Sequence, residues 1–161
     1  HTASYHAGIV LKKILLGLPS KLRTDHIPQV TYTDPEIASV GMNFEDAVKR
    51  FGKKVERSFV NLKTNDRAIT DSKTEGFVEV ILLGRKVIGC SITSKNAGEL
   101  ISFWAFVIAK SIKISNINAM VAPYPTLGEV NKRVISEYYA PKVFSNKLLK
   151  NYVGIIQRFF K

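Results

Sequence analysis

The sequence predicts an α+β domain with helices packed mainly on one face of an antiparallel sheet. Three observations carry this. Segments alternating with period two, including one clear hairpin, occupy the middle of the chain. Helical periodicity gathers towards the end. One helix, 97–111, is apolar nearly all round, so it needs cover on more than one side, either between sheet and helix or against another subunit. With 161 residues and 45% hydrophobic content, the chain can bury one real core with some appended structure.

In order, Ala7, Val10, Leu11, Ile14 and Leu15 recur at helical spacing and Gly17 ends the pattern. Leu18 to His26 is a polar connector. Gln29–Thr33 is β-rich, Asp34-Pro35-Glu36 reads as a turn, and Ile37–Gly41 is a second strand. Asn43 caps a helix presenting Phe44, Ala47, Val48 and Phe51, with acids in its first turn, bases in its last and Gly52 beyond. Val55–Asn61 alternates as a strand, and Thr64–Ser72 reads as a polar loop. Gly76–Leu83 and Lys86–Thr93 form the hairpin across Gly84-Arg85. Asn96 and Glu99 have capping-box spacing and open the apolar helix. Ser115 caps a short helix to about Met120. A helix from Thr126 to about Tyr139 follows, broken by Ala140-Pro141. Ser145 caps the last helix, with Phe144 and Leu149 spaced as a staple.

The chain carries a net charge of +11, which favours anionic partners without choosing among them. Its basic residues are spread along the chain with no nucleic-acid-binding signature, which argues against DNA or RNA. The single cysteine, Cys90, excludes an internal disulfide and reads as a small core residue beside Gly89. No secretory leader or spanning run is visible, so the expected compartment is cytoplasmic. No G-x-G-x-x-G, phosphate-cradling glycine loop, serine elbow or metal-ligand spacing occurs.

What remains is Ala122-Pro123-Tyr124-Pro125-Thr126-Leu127-Gly128-Glu129. Two prolines restrict the backbone around Tyr124. Thr126 and Glu129 have the spacing of a capping box, which would account for Glu129 without any further role.

Three segments together resemble a known family. They are Ile27-Pro28-Gln29-Val30-Thr31-Tyr32-Thr33-Asp34-Pro35-Glu36-Ile37-Ala38-Ser39-Val40-Gly41, then Gly76-Phe77-Val78 through Gly89-Cys90 with Asn96-Ala97-Gly98-Glu99-Leu100-Ile101, and finally Tyr124-Pro125-Thr126-Leu127-Gly128-Glu129. In this order they resemble the C-terminal dimerisation domain of the FAD-dependent pyridine nucleotide–disulfide oxidoreductases, on the dihydrolipoamide dehydrogenase and mercuric-reductase-like branch. The resemblance implies that residues 1–24 are the last helix of a preceding FAD domain with its connector. It makes 25–140 the dimerisation domain and leaves 141–161 as an amphipathic basic C-terminal helix. FAD and NAD(P)H would belong to upstream domains of the same chain and none to this fragment, which alone would not be catalytically competent. The partner would be a second copy, in a homodimer. Tyr124 and Glu129 would be lent to that copy's active site, with Tyr124 and Pro125 near its flavin. No metal site is implied.

The chain departs from the pattern at two points. Disulfide-reducing members resemble it in the glutamate but carry histidine where Tyr124 stands. A phenol with its ordinary pKa near 10 cannot exchange protons at neutral pH as an imidazole near 6.5 does. Mercuric reductases share the tyrosine but end in a vicinal cysteine pair, whereas this chain ends Arg158-Phe159-Phe160-Lys161. The alternative reading is a free-standing interaction module for an acidic partner or anionic surface. The last helix has an apolar face suited to docking on its own domain or a dimer partner, and a basic face suited to an anionic membrane surface.

Overall fold

The computed structural model describes residues 1–19 and 21–159. Phe160, which the sequence places on the last helix, lies outside them. Five strands form one antiparallel sheet: β1 (Gln29–Thr31), β2 (Glu36–Gly41), β3 (Val55–Asn61), β4 (Phe77–Leu83) and β5 (Lys86–Ser94), in the order β1-β2-β5-β4-β3. The helices are α1 (Thr2–Leu16), α2 (Phe44–Phe51), α3 (Asp66–Thr70), α4 (Ala97–Ala109), α5 (Ile114–Ile117), α6 (Glu129–Phe144) and α7 (Lys147–Phe159). This is the expected α+β class.

Alternation along the strands builds the core. Val78, Val80 and Leu82 of β4 join Val40, Cys90 and Ile92 beneath α4 and α6. Ile81 points the other way, to the corner where α2 buries Ala47. Asn43 caps α2 as expected, accepting from the Asp46 N–H at 2.8 Å. Gly89 is required by a close backbone approach. A Cβ there would sit 1.8 Å from the Met42 carbonyl oxygen. Cys90 is buried as expected, and burial pushes its thiol well above the ordinary range.

Several local signals resolve differently. The Asn96–Glu99 box does not form, and α4 has no cap from its own side chains. Glu36, entering β2, accepts the Gly98 N–H at 2.9 Å instead, so a carboxylate from the sheet satisfies the helix start. Glu36→Ala is therefore expected to cost about 1–2 kcal/mol, the usual worth of a lost cap. A lowered urea midpoint with an unchanged slope would show it; an unmoved midpoint would refute this capping role. The 64–72 stretch is not a loop. It follows on from a one-turn 3₁₀ segment, Leu62–Thr64, and holds α3, with buried Asn65 capping α3 through Ala68 N–H. Lys113, not Ser115, precedes α5.

Helix α6 starts at Glu129 and runs through Pro141 to Phe144. Proline removes one hydrogen bond, yet the turn after it is anchored from outside. Lys142 donates to Glu56 of β3 at 2.6 Å and lies 3.7 Å from the Tyr138 ring centre, and the Tyr138 hydroxyl donates to the same carboxylate. The Lys142 ammonium holds the Glu56 carboxyl below its ordinary range. Ser145 ends α6, and Asn146 caps α7 by accepting from the Leu148 and Leu149 N–H groups. Helix α7 does not dock on its own domain, because Leu148 is 79% and Ile155 54% exposed. Among the described residues no helix is long and apolar enough to cross a membrane.

Candidate functional site

The Tyr-Pro loop connects α5 to α6 and leaves Tyr124 69% exposed. Both Asp34-Pro35 and Tyr124-Pro125 are cis peptides. The expected Thr126–Glu129 capping box is absent, and α6 begins after Gly128 with no side-chain cap. The Thr126 hydroxyl turns back to donate to the Pro123 carbonyl at 2.7 Å, closing the loop on itself. That frees the Glu129 carboxylate. It is half-buried at the first position of α6, and no hydrogen bond or ion pair holds it among the described residues.

The loop is held by the segment whose helix sequence reasoning missed. The Asn65 amide donates to the Thr126 carbonyl at 3.1 Å while its oxygen caps α3. Arg133 of α6 donates to the Thr64 carbonyl. Asp66, the first residue of α3, accepts the Tyr124 hydroxyl at 2.9 Å. Asn65 followed by an acid is an N-cap signal, but a helix of five residues shows no apolar period to support it. That Asp66 lies opposite Tyr124 is a consequence of folding alone.

The electrostatic result is plain. The Asp66 carboxylate bonds the phenolic proton and repels a phenolate, so Tyr124 is raised above its ordinary pKa; Glu129 adds a smaller push the same way. Tyr124 is thus a hydrogen-bond donor held by a carboxylate, and stays protonated throughout the neutral range. Pro125 follows it directly, and Glu129 sits on the same loop-to-helix junction, so the three expected site residues share one corner of the domain. An open groove of about 240 Å³ alongside is lined by Arg67, Asp71, Lys95, Asn96, Thr126 and Leu127.

A phosphate-binding helix start needs free N–H groups. Glu36 already occupies the start of α4, and Glu129 places negative charge at the start of α6. No group of three or more metal-ligating side chains occurs among the described residues.

On the far side of α4 from the sheet, Phe106 is 56% exposed. With Phe103, Val107, Ile112, Ile117 and Met120 it lines an apolar groove of about 340 Å³. Trp104 is fully buried beneath it, donating to Asn131 of α6 at 2.8 Å.

The family model described as the pyridine nucleotide-disulphide oxidoreductase dimerisation domain matches residues 27–135. A mercuric reductase of Lysinibacillus sphaericus is 31% identical over 131 residues, covering 80% of this chain and 24% of that protein. A dihydrolipoyl dehydrogenase of Geobacillus stearothermophilus is 33% identical over 132 residues, covering 81% and 28%. The chain therefore spans about a quarter of the curated relatives it matches. The crystal structure of LpdA from Mycobacterium tuberculosis shares the fold, with TM-score 0.72 at 24% identity over 81% of this chain and 29% of that one. The HOCl-induced flavoprotein disulfide reductase RclA from Escherichia coli does so at 0.71 and 21%, over 80% and 30%. The family model spans all five strands and the Tyr-Pro loop, and the chain is a member of the pyridine nucleotide–disulfide oxidoreductase dimerisation-domain family.

Proposed function

We propose that this domain pairs two subunits of an FAD-dependent, NAD(P)H-linked oxidoreductase working through a redox disulfide. Each copy presents Tyr124, Pro125 and Glu129 to its partner's redox centre. Residues 1–24 then close a preceding FAD domain, and FAD and NAD(P)H are held by other parts of the parent. The flavin would supply two-electron transfer from nicotinamide to the disulfide. This chain's part is to pair subunits and place a protonated phenol beside the partner's sulfurs. By itself it turns over no substrate. The reducing, cytoplasmic compartment suits its one buried thiol.

The observation carrying this reading is the exposed Tyr124 hydroxyl, fixed at 2.9 Å by Asp66 on a loop that uses none of its own polar side chains to cap the helix it precedes. The exposed apolar strip around Phe106 supports pairing, since an obligate dimer needs apolar surface to cover.

Complementation tests the exchange of loops. A parent carrying Tyr124→Ala and a parent lacking its redox cysteines should each be poorly active as homodimers. Co-expressed, they should regain activity, because the heterodimer joins one intact loop to one intact disulfide. If co-expression restores nothing while mixed dimers are isolated, the loop does not act across the interface.

A further inference from the structure

We infer that α7 lies flat on an anionic membrane surface, apolar face inward, and tethers the domain there. This goes beyond the pairing function and does not depend on it. The family match ends at residue 135, before this helix, so membership leaves α7 unexplained. Its side chains separate cleanly. Leu148, Leu149, Tyr152, Val153, Ile155 and Ile156 fall on one side, and Lys147, Lys150, Asn151, Gln157 and Arg158 on the other. The apolar side meets little of its own domain, with Tyr152 61% exposed; Val143 and Phe144, at the end of α6, line a groove with Leu149 and Val153.

Charge selects the occupant. No acidic residue follows Glu137, while Lys142, Lys147, Lys150, Arg158 and Lys161 do. Lys142 is neutralised by Glu56, but Lys147, Lys150 and Arg158 have no ion-pair partner among the described residues. An anionic lipid surface brings the charge opposite to these unpaired cations. Charge also sets the mode. Lys147, Lys150 and Arg158 stay with the headgroups, so the helix rests in the interface with only its apolar side inward. The cytoplasmic leaflet, with its phosphatidylserine, is the chemically matching surface.

Vesicle co-sedimentation of the 161-residue chain is the test. The chain should bind vesicles rich in phosphatidylserine, fail to bind pure phosphatidylcholine, and release as salt rises. Replacing Lys147, Lys150 and Arg158 together by Gln should weaken binding about a hundredfold, from the usual worth of each surface cation. Leu148→Ser with Ile155→Ser, which keeps every charge, should weaken it too. Circular dichroism would confirm that both variants keep the fold, since α7 is not part of the core. The inference is overturned if the wild-type chain ignores anionic vesicles, or if both variants bind as well as wild type, pointing instead to exposed Leu11 and Ile14 of α1. It is also overturned if the Leu148/Ile155 variant breaks a dimer but leaves vesicle binding unchanged, which would make a second copy the occupant.

Discussion

Tyr124→His in the full-length parent should raise turnover of a dithiol–disulfide substrate by about a hundredfold, the low end of what a placed acid–base contributes. In the native loop the phenol is doubly unsuited to proton exchange. Its ordinary pKa is already near 10, and Asp66, at 2.9 Å, moves it further up. An imidazole near 6.5 would both take and return a proton at neutral pH. The carboxylate to orient it is at hand, because Glu129 is not consumed as a helix cap. The sign of the pH dependence follows. Asp66 favours the protonated phenol, so the native parent should show no inflection from this residue between pH 6 and 8, whereas the histidine variant should gain one near about 6.5. If native kcat/KM already matches that of the variant, Tyr124 does not limit disulfide chemistry.

Trp104→Ala should be the most damaging single change to the domain, costing about 3–5 kcal/mol, typical of large-to-small core truncation. Trp104 is fully buried in α4 and stacks edge-on with Phe103 at 5.1 Å. Its indole N–H donates to the Asn131 amide oxygen, and the Asn131 nitrogen reaches back to the Leu100 carbonyl at 3.3 Å. Truncation opens a cavity and also strands a buried acceptor on α6, the helix that begins at the site. Trp104→Phe keeps much of the volume but not the donor, so its smaller cost of about 1–3 kcal/mol isolates the polar part. Urea unfolding of the two variants measures the difference. A Trp104→Phe midpoint equal to that of wild type would show that the Asn131 bridge contributes nothing.

Much of the fold is legible because it depends on neighbours in sequence. The Val55–Asn61 strand, the Gly84-Arg85 hairpin and the Asn43-capped helix were set by period, turn chemistry and caps within a few residues. Misreadings arose where a local signal had a competitor. Asn96–Glu99 has the spacing of a capping box, but the Glu36 carboxylate reaches Gly98. Pro141 should end a helix, but Glu56 holds the turn beyond it through Lys142. Thr126 could have capped α6, but its hydroxyl found the Pro123 carbonyl. Each outcome was decided by a group the local pattern does not contain.

The candidate site divides the same way. Tyr124, Pro125 and Glu129 are adjacent in the chain, so sequence alone determined that they share one loop, and the order of motifs determined the family. Which carboxylate serves which purpose was decided only in three dimensions. Asp66 is 58 residues from Tyr124, and Glu36 is 62 from Gly98. Hydrogen bonds act over about 3 Å, so such pairings exist only once the sheet and helices have brought the groups together. Tertiary structure thus gave the phenol its acceptor from α3, left Glu129 free, and left the apolar side of α7 facing outward.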